Sequence, residues 1–213
     1  MKYKNRNIQI TCDGGAATGK STGAKLIAKK YKLAFLSSGL LYRYASYLIL
    51  KNKPKRQINF LKKKFKNLDY KKLSKINLHS PKISEHSATI AKILSVRNIL
   101  KKYQKNFIFK NKGCVLEGRD ASTKIMADSD VKFFFICSLN VAAKRRYKEL
   151  KKKNIKINLS SVKKSLKLRD ISDKKRKHSP LKKHKNAVVV DTGKLNKHAM
   201  VVKMSKYIEK FIN

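Results

Sequence analysis

The residues that most directly suggest chemistry form a glycine-rich stretch near the start of the sequence. They match the pattern G-x-x-x-x-G-K-[ST] with Gly14, Gly15, Ala16, Ala17, Thr18, Gly19, Lys20 and Ser21, and Thr22 follows. Small residues in this pattern let backbone N–H groups converge on phosphate oxygens, while the lysine reaches the β- and γ-phosphates and the hydroxyl binds Mg²⁺. The stretch predicts a nucleotide-binding P-loop, with a plain glycine-rich turn as the alternative.

Arginine is the second informative residue type, because only nine of the 55 basic residues are arginine. Lysine is a solvated point charge that fits almost any surface, whereas the planar fork of arginine holds a phosphate or a base edge at two points. Seven of the nine lie in or beside the motif segments: Arg43, Arg97, Arg119, Arg145, Arg146, Arg169 and Arg176. This distribution favours a phosphoryl-transfer site over a nucleic-acid surface, where lysine would serve at most of these places.

Two short motifs each allow a functional and a plain structural interpretation. In SSGLLYR, Ser38 could cap a helix, and Arg43 would then face a second phosphate from the first turns of that helix. In VLEGRD, Arg119 and Asp120 follow a predicted strand, at the sheet edge where open α/β sheets bind ligands. They could equally form a structural ion pair.

A third motif, RDISDKKR, contains Arg169, Asp173 and Arg176 at roughly helical spacing. Residues three or four apart share one side of a helix. The motif therefore predicts three candidate ligands on one side of a helix, with a solvated charged helix as the alternative.

The elements that must position these residues alternate between strands and helices. Five β-branched or aromatic runs predict buried strands at residues 8–12, 33–36, 114–118, 131–137 and 187–191. Apolar residues at three- and four-residue spacing predict helices at 20–31, 141–152 and 196–212. This alternation predicts an α/β fold with a mostly parallel sheet between helices. The long gap between Leu36 and Gly113 predicts an insertion, whose polar part, 51–84, could form short solvated helices or a mobile flap.

Composition excludes several classes of protein. The chain has 213 residues and a formal charge of +43, which requires anionic partners or solvating ions without saying which. Cys12, Cys114 and Cys137 lack metal or redox spacing and are expected to be reduced core residues. The five histidines also lack ligand spacing. The basic start, residues 1–6, precedes too short an apolar stretch for a signal sequence, and no run is long enough to span a membrane.

Taken together, these motifs resemble those of the bacterial cytidylate kinases, a family of nucleoside monophosphate (NMP) kinases. The resemblance runs from Gln9 to about Leu195 and depends on ITCDGGAATGKST, LSSGLLYR, SVRNILKKYQ, VLEGRDASTKIMADSDVKFFF, AAKRRYKEL, LRDISDKKRKHSPL and AVVVDTGKL. It implies a P-loop NMP-kinase fold: a five-stranded parallel sheet flanked by helices in a single domain, 1–213. Within that domain, 51–96 would be the NMP-binding insertion and 145–176 the lid segment.

The resemblance also implies an activity, the Mg²⁺-dependent transfer of a phosphoryl group from ATP to CMP or dCMP. Residues 14–22 would hold the ATP phosphates, with Lys20 acting in catalysis and Ser21 binding the metal. The implied acceptor-side residues are Ser38, Arg43 and Arg119 near the CMP phosphate, Arg97 and Asp120 at the cytosine, and Arg169, Asp173 and Arg176 at the sugar. Arg145 and Arg146 would meet the transferring phosphoryl group only when the lid is closed.

Departures from the family pattern leave alternatives open. Ala88 stands where the family usually has a serine that helps to recognise cytosine, with Ser87 and Thr89 beside it, and Gly15 and Ser37 replace a usual proline and aspartate. One alternative is therefore an NMP kinase with relaxed pyrimidine specificity. Another, based on charge alone, is a basic nucleic-acid-binding protein. We expect a cytoplasmic monomer that binds small nucleotides and neither a membrane nor a specific nucleic acid.

Overall fold

A computed structural model describes residues 7–212 of the chain. The basic segment 1–6, considered above as the possible start of a targeting signal, lies outside the described residues. Within them, no helix combines the length and apolar character needed to cross a membrane. The chain divides into two compact units, Met1–Phe35 with Lys112–Asn213, and Leu36–Asn111.

The sheet has five strands in the order β2-β3-β1-β4-β5. These are β1 (Gln9–Gly14), β2 (Ala34–Ser37), β3 (Cys114–Gly118), β4 (Val131–Ile136) and β5 (Val188–Asp191). β1 lies at the centre and pairs in parallel with β3 and β4, and β4 pairs in parallel with β5. The predicted five-stranded parallel sheet is confirmed: the predicted strand 114–118 coincides with β3, and the other four predicted strands differ from the observed ones by one or two residues at their ends.

Eight α-helices connect or flank these strands within residues 7–212. They are α1 (Lys20–Lys30), α2 (Ser38–Asn52), α3 (Gln57–Lys66), α4 (Pro81–Ile90), α5 (Leu94–Lys110), α6 (Leu139–Lys151), α7 (Leu159–Lys175) and α8 (Lys197–Glu209). The three predicted helices correspond to α1, α6 and α8. Helices join parallel strands because such connections must cross the sheet.

The core of the larger unit lies between the sheet and α1 and α8. Four of its residues are fully buried: Phe133 and Phe135 on β4, Ile27 on α1 and Met204 on α8. A strand that is covered on both faces has a nearly continuous apolar sequence, which is why β4 was recognisable from the sequence. A smaller apolar cluster packs α6 and α7 against Ala16 of the P-loop. Two of the cysteines, those on β1 and β3, are buried as predicted.

Cys137 is the exception among the cysteines. It follows β4 and is only partly buried, so the prediction that all three are core residues was wrong for this one. The residue packs against the smaller apolar cluster of α6 and α7, which covers it only in part.

The smaller unit, Leu36–Asn111, contains α2 to α5. Its polar segment, 51–84, forms α3, a 3-10 helix (Tyr70–Lys75) and the start of α4. The rings of Tyr44, Phe65 and Tyr103 pack edge to face, with centroids 5.8 and 6.0 Å apart. Residues 51–96 lie inside this unit. Residues 145–176, in the larger unit, comprise the second half of α6, the segment that follows it, all of α7 and Arg176. Their roles as NMP-binding insertion and lid stay predictions.

One predicted helix cap is wrong. Ser37, and not Ser38, is the N-cap of α2, because its side chain accepts a hydrogen bond from the N–H of Leu40 at 3.3 Å. Ser38 is already helical and buried, and its hydroxyl donates to the side-chain oxygen of Gln104 on α5.

Candidate functional site

The predicted P-loop is the turn between β1 and α1. Gly14 has φ 151°, and a Cβ there would stand 2.4 Å from the carbonyl oxygen of Phe135, so only glycine fits against β4. Gly19 has φ 80° and precedes α1, whose first turn has no capping side chain. Helix N–H groups without a cap, at the positive end of the helix, are suited to bind an anion.

Lys20 is buried beneath this loop. Its Nζ donates to the carbonyl oxygen of Gly15 at 3.1 Å and lies 3.4 Å from Oε1 of Glu117 at the end of β3. Burial and the nearby charge of Arg119 lower the pKa of Lys20 to about 8, although Glu117 opposes them. The ammonium group is therefore short of compensating negative charge.

The other P-loop residues divide into buried and exposed ones. Ala16 and Thr18 are buried, and the Thr18 hydroxyl donates to the carbonyl oxygen of Gly15 at 3.1 Å. Ser21 and Thr22 are exposed in the first turn of α1. Both residues are thus accessible in the same helical turn that presents the uncapped N–H groups.

Three arginines gather around one buried carboxylate, and we call Arg119, Arg169, Arg176 and Asp173 the arginine cluster. Arg119 Nε donates to Asp173 Oδ2 at 2.9 Å, and Arg176 Nη1 donates to Asp173 Oδ1 at 3.2 Å. Burial alone would raise the pKa of Asp173, but the three arginines outweigh it and hold that pKa below its ordinary value. The alternative for this motif, a solvated charged helix, does not describe these residues, because Asp173 and Arg176 are both buried.

Arg169 is the least compensated member of the arginine cluster. Its buried Nε has no hydrogen-bond partner among the described residues. Burial and the charge of Arg119 lower its pKa to about 10, while Asp173 and Asp170 oppose them. A cation of this kind is stabilised by an additional anion.

Asp120 also contacts the arginine cluster. Arg176 Nη2 lies 3.7 Å from Asp120 Oδ1. Asp120, the last residue of the VLEGRD motif, is buried. The structural alternative for this motif, an ion pair between its own arginine and aspartate, is not what the ion pairs show: Arg119 pairs with Asp173, and Asp120 lies near Arg176. The cause is the approach of α7 to the end of β3.

Arg145 and Arg146, neighbours on α6, differ in their surroundings. Arg145 donates to the hydroxyl and the carbonyl oxygen of Thr192 at 2.8 and 2.7 Å, and that hydroxyl donates to the carbonyl oxygen of Thr18. Arg145 is thus tied to the P-loop through one residue. Arg146 instead forms an ion pair with Glu149 at 3.1 Å, one turn along the same helix.

The remaining predicted residues lie in the smaller unit. Arg43, on α2, donates to the hydroxyl of Ser84 at 2.8 Å and to the carbonyl oxygen of Leu78 at 3.2 Å. Arg97, on α5, is buried, donates to the carbonyl oxygen of Ala91 at 3.1 Å and lies over the ring of Tyr42 at 5.7 Å. Both are held in fixed positions by their own unit.

Sequence reasoning missed four residues that contact the site. Glu117 pairs with Lys20, Thr192 bonds Arg145, Asp13 binds the turn after Asp120, and Asp170 accepts a hydrogen bond from the N–H of Ala16 at 3.0 Å. All four stand inside the motifs quoted above, and Asp170 directly follows Arg169. Their place in the sequence could have indicated them, because each of these polar residues lies at or near the end of an apolar strand or next to an arginine.

Comparison with known proteins identifies the family. The cytidylate kinase family model matches residues 10–210. The cytidylate kinase of Thermosipho melanesiensis is 35% identical over 211 residues, which cover 94% of this chain and 96% of that protein. The cytidylate kinase of Fusobacterium nucleatum subsp. nucleatum is 36% identical over 219 residues, covering 96% and 98%.

Solved structures agree on the fold at much lower identity. The shikimate kinase of Bacteroides thetaiotaomicron superposes with a TM-score of 0.54 at 11% identity, covering 95% of this chain and 98% of that one. TT1252 from Thermus thermophilus gives a TM-score of 0.54 at 13% identity, covering 98% and 100%. These likenesses show a shared kinase-type fold alone, and the sequence relatives carry the closer assignment: the chain belongs to the cytidylate kinase family.

Proposed function

We propose that this protein transfers the γ-phosphoryl group of ATP to CMP or dCMP and releases ADP with CDP or dCDP. The observation that carries the proposal is the crowding of Lys20 by Arg119 and Arg169 in a buried place, where burial first and these like charges second lower the pKa of Lys20. Phosphoryl transfer needs such a concentration of fixed positive charge, because its transition state spreads negative charge over several oxygens. The family membership of the chain supports the same reaction.

On the donor side, the N–H groups of residues 14–22 would bind the ATP phosphates, and Lys20 would neutralise the β- and γ-phosphates. The exposed hydroxyl of Ser21 is a hard oxygen donor of the kind Mg²⁺ prefers, so the residues present fit this ion. Bound there with the phosphates, Mg²⁺ would supply additional charge neutralisation. Lys20 and the loop would fix the donor in line with the acceptor.

On the acceptor side, no general base is required. An oxygen of the CMP phosphate is already ionised and attacks the γ-phosphorus, while the bond to the β-bridging oxygen breaks and ADP leaves with the electron pair. Arg43 and Arg119 would hold the attacking phosphate, with Ser38 supporting the start of α2. Arg145 and Arg146 would reach the transferring group when the lid closes and water is excluded.

Base selection would depend on Asp120 and Arg97. A carboxylate accepts from the cytosine N4 amino group, and arginine donates to the ring acceptors. Uracil presents a carbonyl oxygen in place of that donor, so the hydrogen bond to Asp120 would be lost and replaced by a repulsion that is costly in a buried site. The arginine cluster would contact the sugar and close over it.

A coupled ADP-release assay with Mg·ATP and CMP, dCMP, UMP or AMP in turn tests this proposal. We expect turnover with CMP and dCMP, at least tenfold less with UMP, and none with AMP. Absence of turnover with every acceptor would overturn the proposed reaction.

A second candidate, an NMP kinase with relaxed pyrimidine specificity, is favoured by the neighbourhood of Ala88. The hydroxyl of Ser87 donates to the carbonyl oxygen of Ser84 at 2.7 Å, and that of Thr89 turns to Glu85 of the same helix. Neither hydroxyl therefore replaces the missing serine. Equal kcat/KM for UMP and CMP would select this candidate.

The charge of +43 motivates the remaining alternative, nucleic-acid binding. We propose instead a cytoplasmic monomer in which the charge draws anionic nucleotides to the protein. Binding to random duplex DNA that disappears near physiological salt would agree with incidental charge, whereas binding that persists there would favour a nucleic-acid partner.

A further inference from the structure

Asp13 is a buried carboxylate next to the P-loop that the reaction described above does not use. It stands on β1 directly before Gly14, and its side chain is fully buried. Its oxygens accept three hydrogen bonds, from the N–H of Ala121 at 2.9 Å, the N–H of Ser122 at 2.7 Å and the hydroxyl of Ser122 at 2.6 Å.

These three donors begin the turn that carries the acceptor-side residues. Ala121 and Ser122 open a single π-helical turn, Ala121–Ile125, immediately after Arg119 and Asp120. Because a peptide unit is planar, fixing the N–H of Ala121 also fixes the orientation of the Asp120 carbonyl. That carbonyl accepts from the N–H of Lys124 at 2.9 Å and closes the turn.

The position of Asp13 joins two parts of the site. β1 and β3 are in register so that Asp13 pairs with Gly118, and the carboxylate reaches past the end of β3 to the turn. The P-loop leaves β1 at the next residue. One side chain thus fixes the spacing between the loop assigned to ATP and the pair assigned to the CMP phosphate and base.

Keeping a carboxylate in this place has a cost in stability. Burial raises the pKa of Asp13 to about 6, although the hydrogen bonds from Ser122 and Ala121 lower it in part. An apolar residue would avoid the burial of a charge but would leave the N–H groups of Ala121 and Ser122 without an acceptor. The geometry, with all the hydrogen bonds of Asp13 directed at one turn, points to positioning as its role.

We propose, on the basis of the function proposed above, that Asp13 is a positioning residue for base selection. It holds Asp120 in the orientation that distinguishes CMP from UMP and Arg119 in the orientation that binds the acceptor phosphate, and it acts on the acceptor rather than on ATP. Asp13→Asn is the sharpest test, because the amide keeps the size of the side chain but turns an NH₂ group toward a donor that needs an acceptor.

The control is Asp130→Asn. Asp130 also accepts a hydrogen bond from a backbone N–H of β1, that of Gln9 at 2.7 Å, but at the opposite end of the strand. For each variant, kcat/KM for CMP and for UMP would be measured, together with the Kd for ATP by calorimetry without acceptor.

For Asp13→Asn we expect kcat/KM for CMP to fall about 30-fold, the CMP-to-UMP ratio to fall about tenfold, and the Kd for ATP to change less than threefold. Asp130→Asn should leave all three within twofold. An unchanged ratio, or an ATP affinity that falls as much as CMP turnover, would show a merely structural role and overturn the proposal.

Two further measurements keep the outcomes separate. If Asp13→Asn does not fold, Ser122→Ala takes its place, because it removes one of the three hydrogen bonds of Asp13. For Ser122→Ala the ratio of kcat/KM for CMP to that for UMP should fall about threefold. An unchanged ratio would contradict the proposal. The wild-type protein is measured first, so lack of turnover with any acceptor would refute the proposed reaction itself and not only the role of Asp13.

Discussion

The P-loop and the arginine cluster are both suited to bind phosphate, but they are made of different parts. The P-loop offers backbone N–H groups and one lysine within a single stretch, 14–22, whose shape depends on Gly14 and Gly19. The arginine cluster offers side chains from β3 and α7, held by Asp173. A backbone cradle tolerates changes of side chain except at its glycines and lysine, whereas a side-chain cluster should fail when its central carboxylate is changed.

The largest expected effect is the loss of Lys20. Lys20→Met should lower kcat by about 10³-fold, because it removes the one cation within the backbone cradle. Lys29→Met is the matched control, since Lys29 is exposed on the same helix, and it should leave kcat within twofold. Steady-state ADP release measures both. A kcat for Lys20→Met within tenfold of the wild-type value would show that the backbone alone suffices.

The second effect concerns the arginine cluster. Asp173→Asn keeps the volume but removes the charge that pairs Arg119 and Arg176, so kcat/KM for CMP should fall about 10²-fold and the free energy of unfolding by about 3 kcal/mol. Urea unfolding and the ADP assay measure the two quantities. Asp128→Asn, at an exposed acidic residue, is the control. Unchanged stability would mean that the arginines do not depend on this carboxylate.

The third effect is a pH dependence specific to the P-loop. The pKa of Lys20 is lowered to about 8, so the ammonium that we assign to ATP binding deprotonates as the pH rises through this value. Bound phosphates favour the charged form, so kcat/KM for ATP should fall about tenfold per pH unit above 8, while kcat changes less. Lys20→Arg should remove the inflection. A wild-type profile that is flat to pH 10 would contradict the lowered pKa.

The same contrast explains what the sequence could predict. The P-loop is local, so its pattern of glycines and its strand-to-helix context identified Lys20 and the start of α1 directly. The arginine cluster joins residues about fifty positions apart, and spacing alone could not tell that Arg119 would meet Asp173 rather than Asp120. Only the resemblance to the cytidylate kinases assigned these residues to one site. Partners such as Glu117 and Thr192 were missed because a buried polar residue shows its contact only in the folded chain.

The smallest expected effect separates Arg146 from the arginine cluster. Its ion pair with Glu149 is largely solvated, since 61% of the Glu149 side chain is exposed, in contrast to the buried pairs of Asp173. Glu149→Gln should therefore change the free energy of unfolding by less than about 0.5 kcal/mol. Because a largely solvated pair restrains its arginine only weakly, kcat should rise by no more than about twofold when Glu149 is neutralised. A larger rise, measured at low and at physiological salt, would show that this exposed pair restrains the lid as strongly as a buried one.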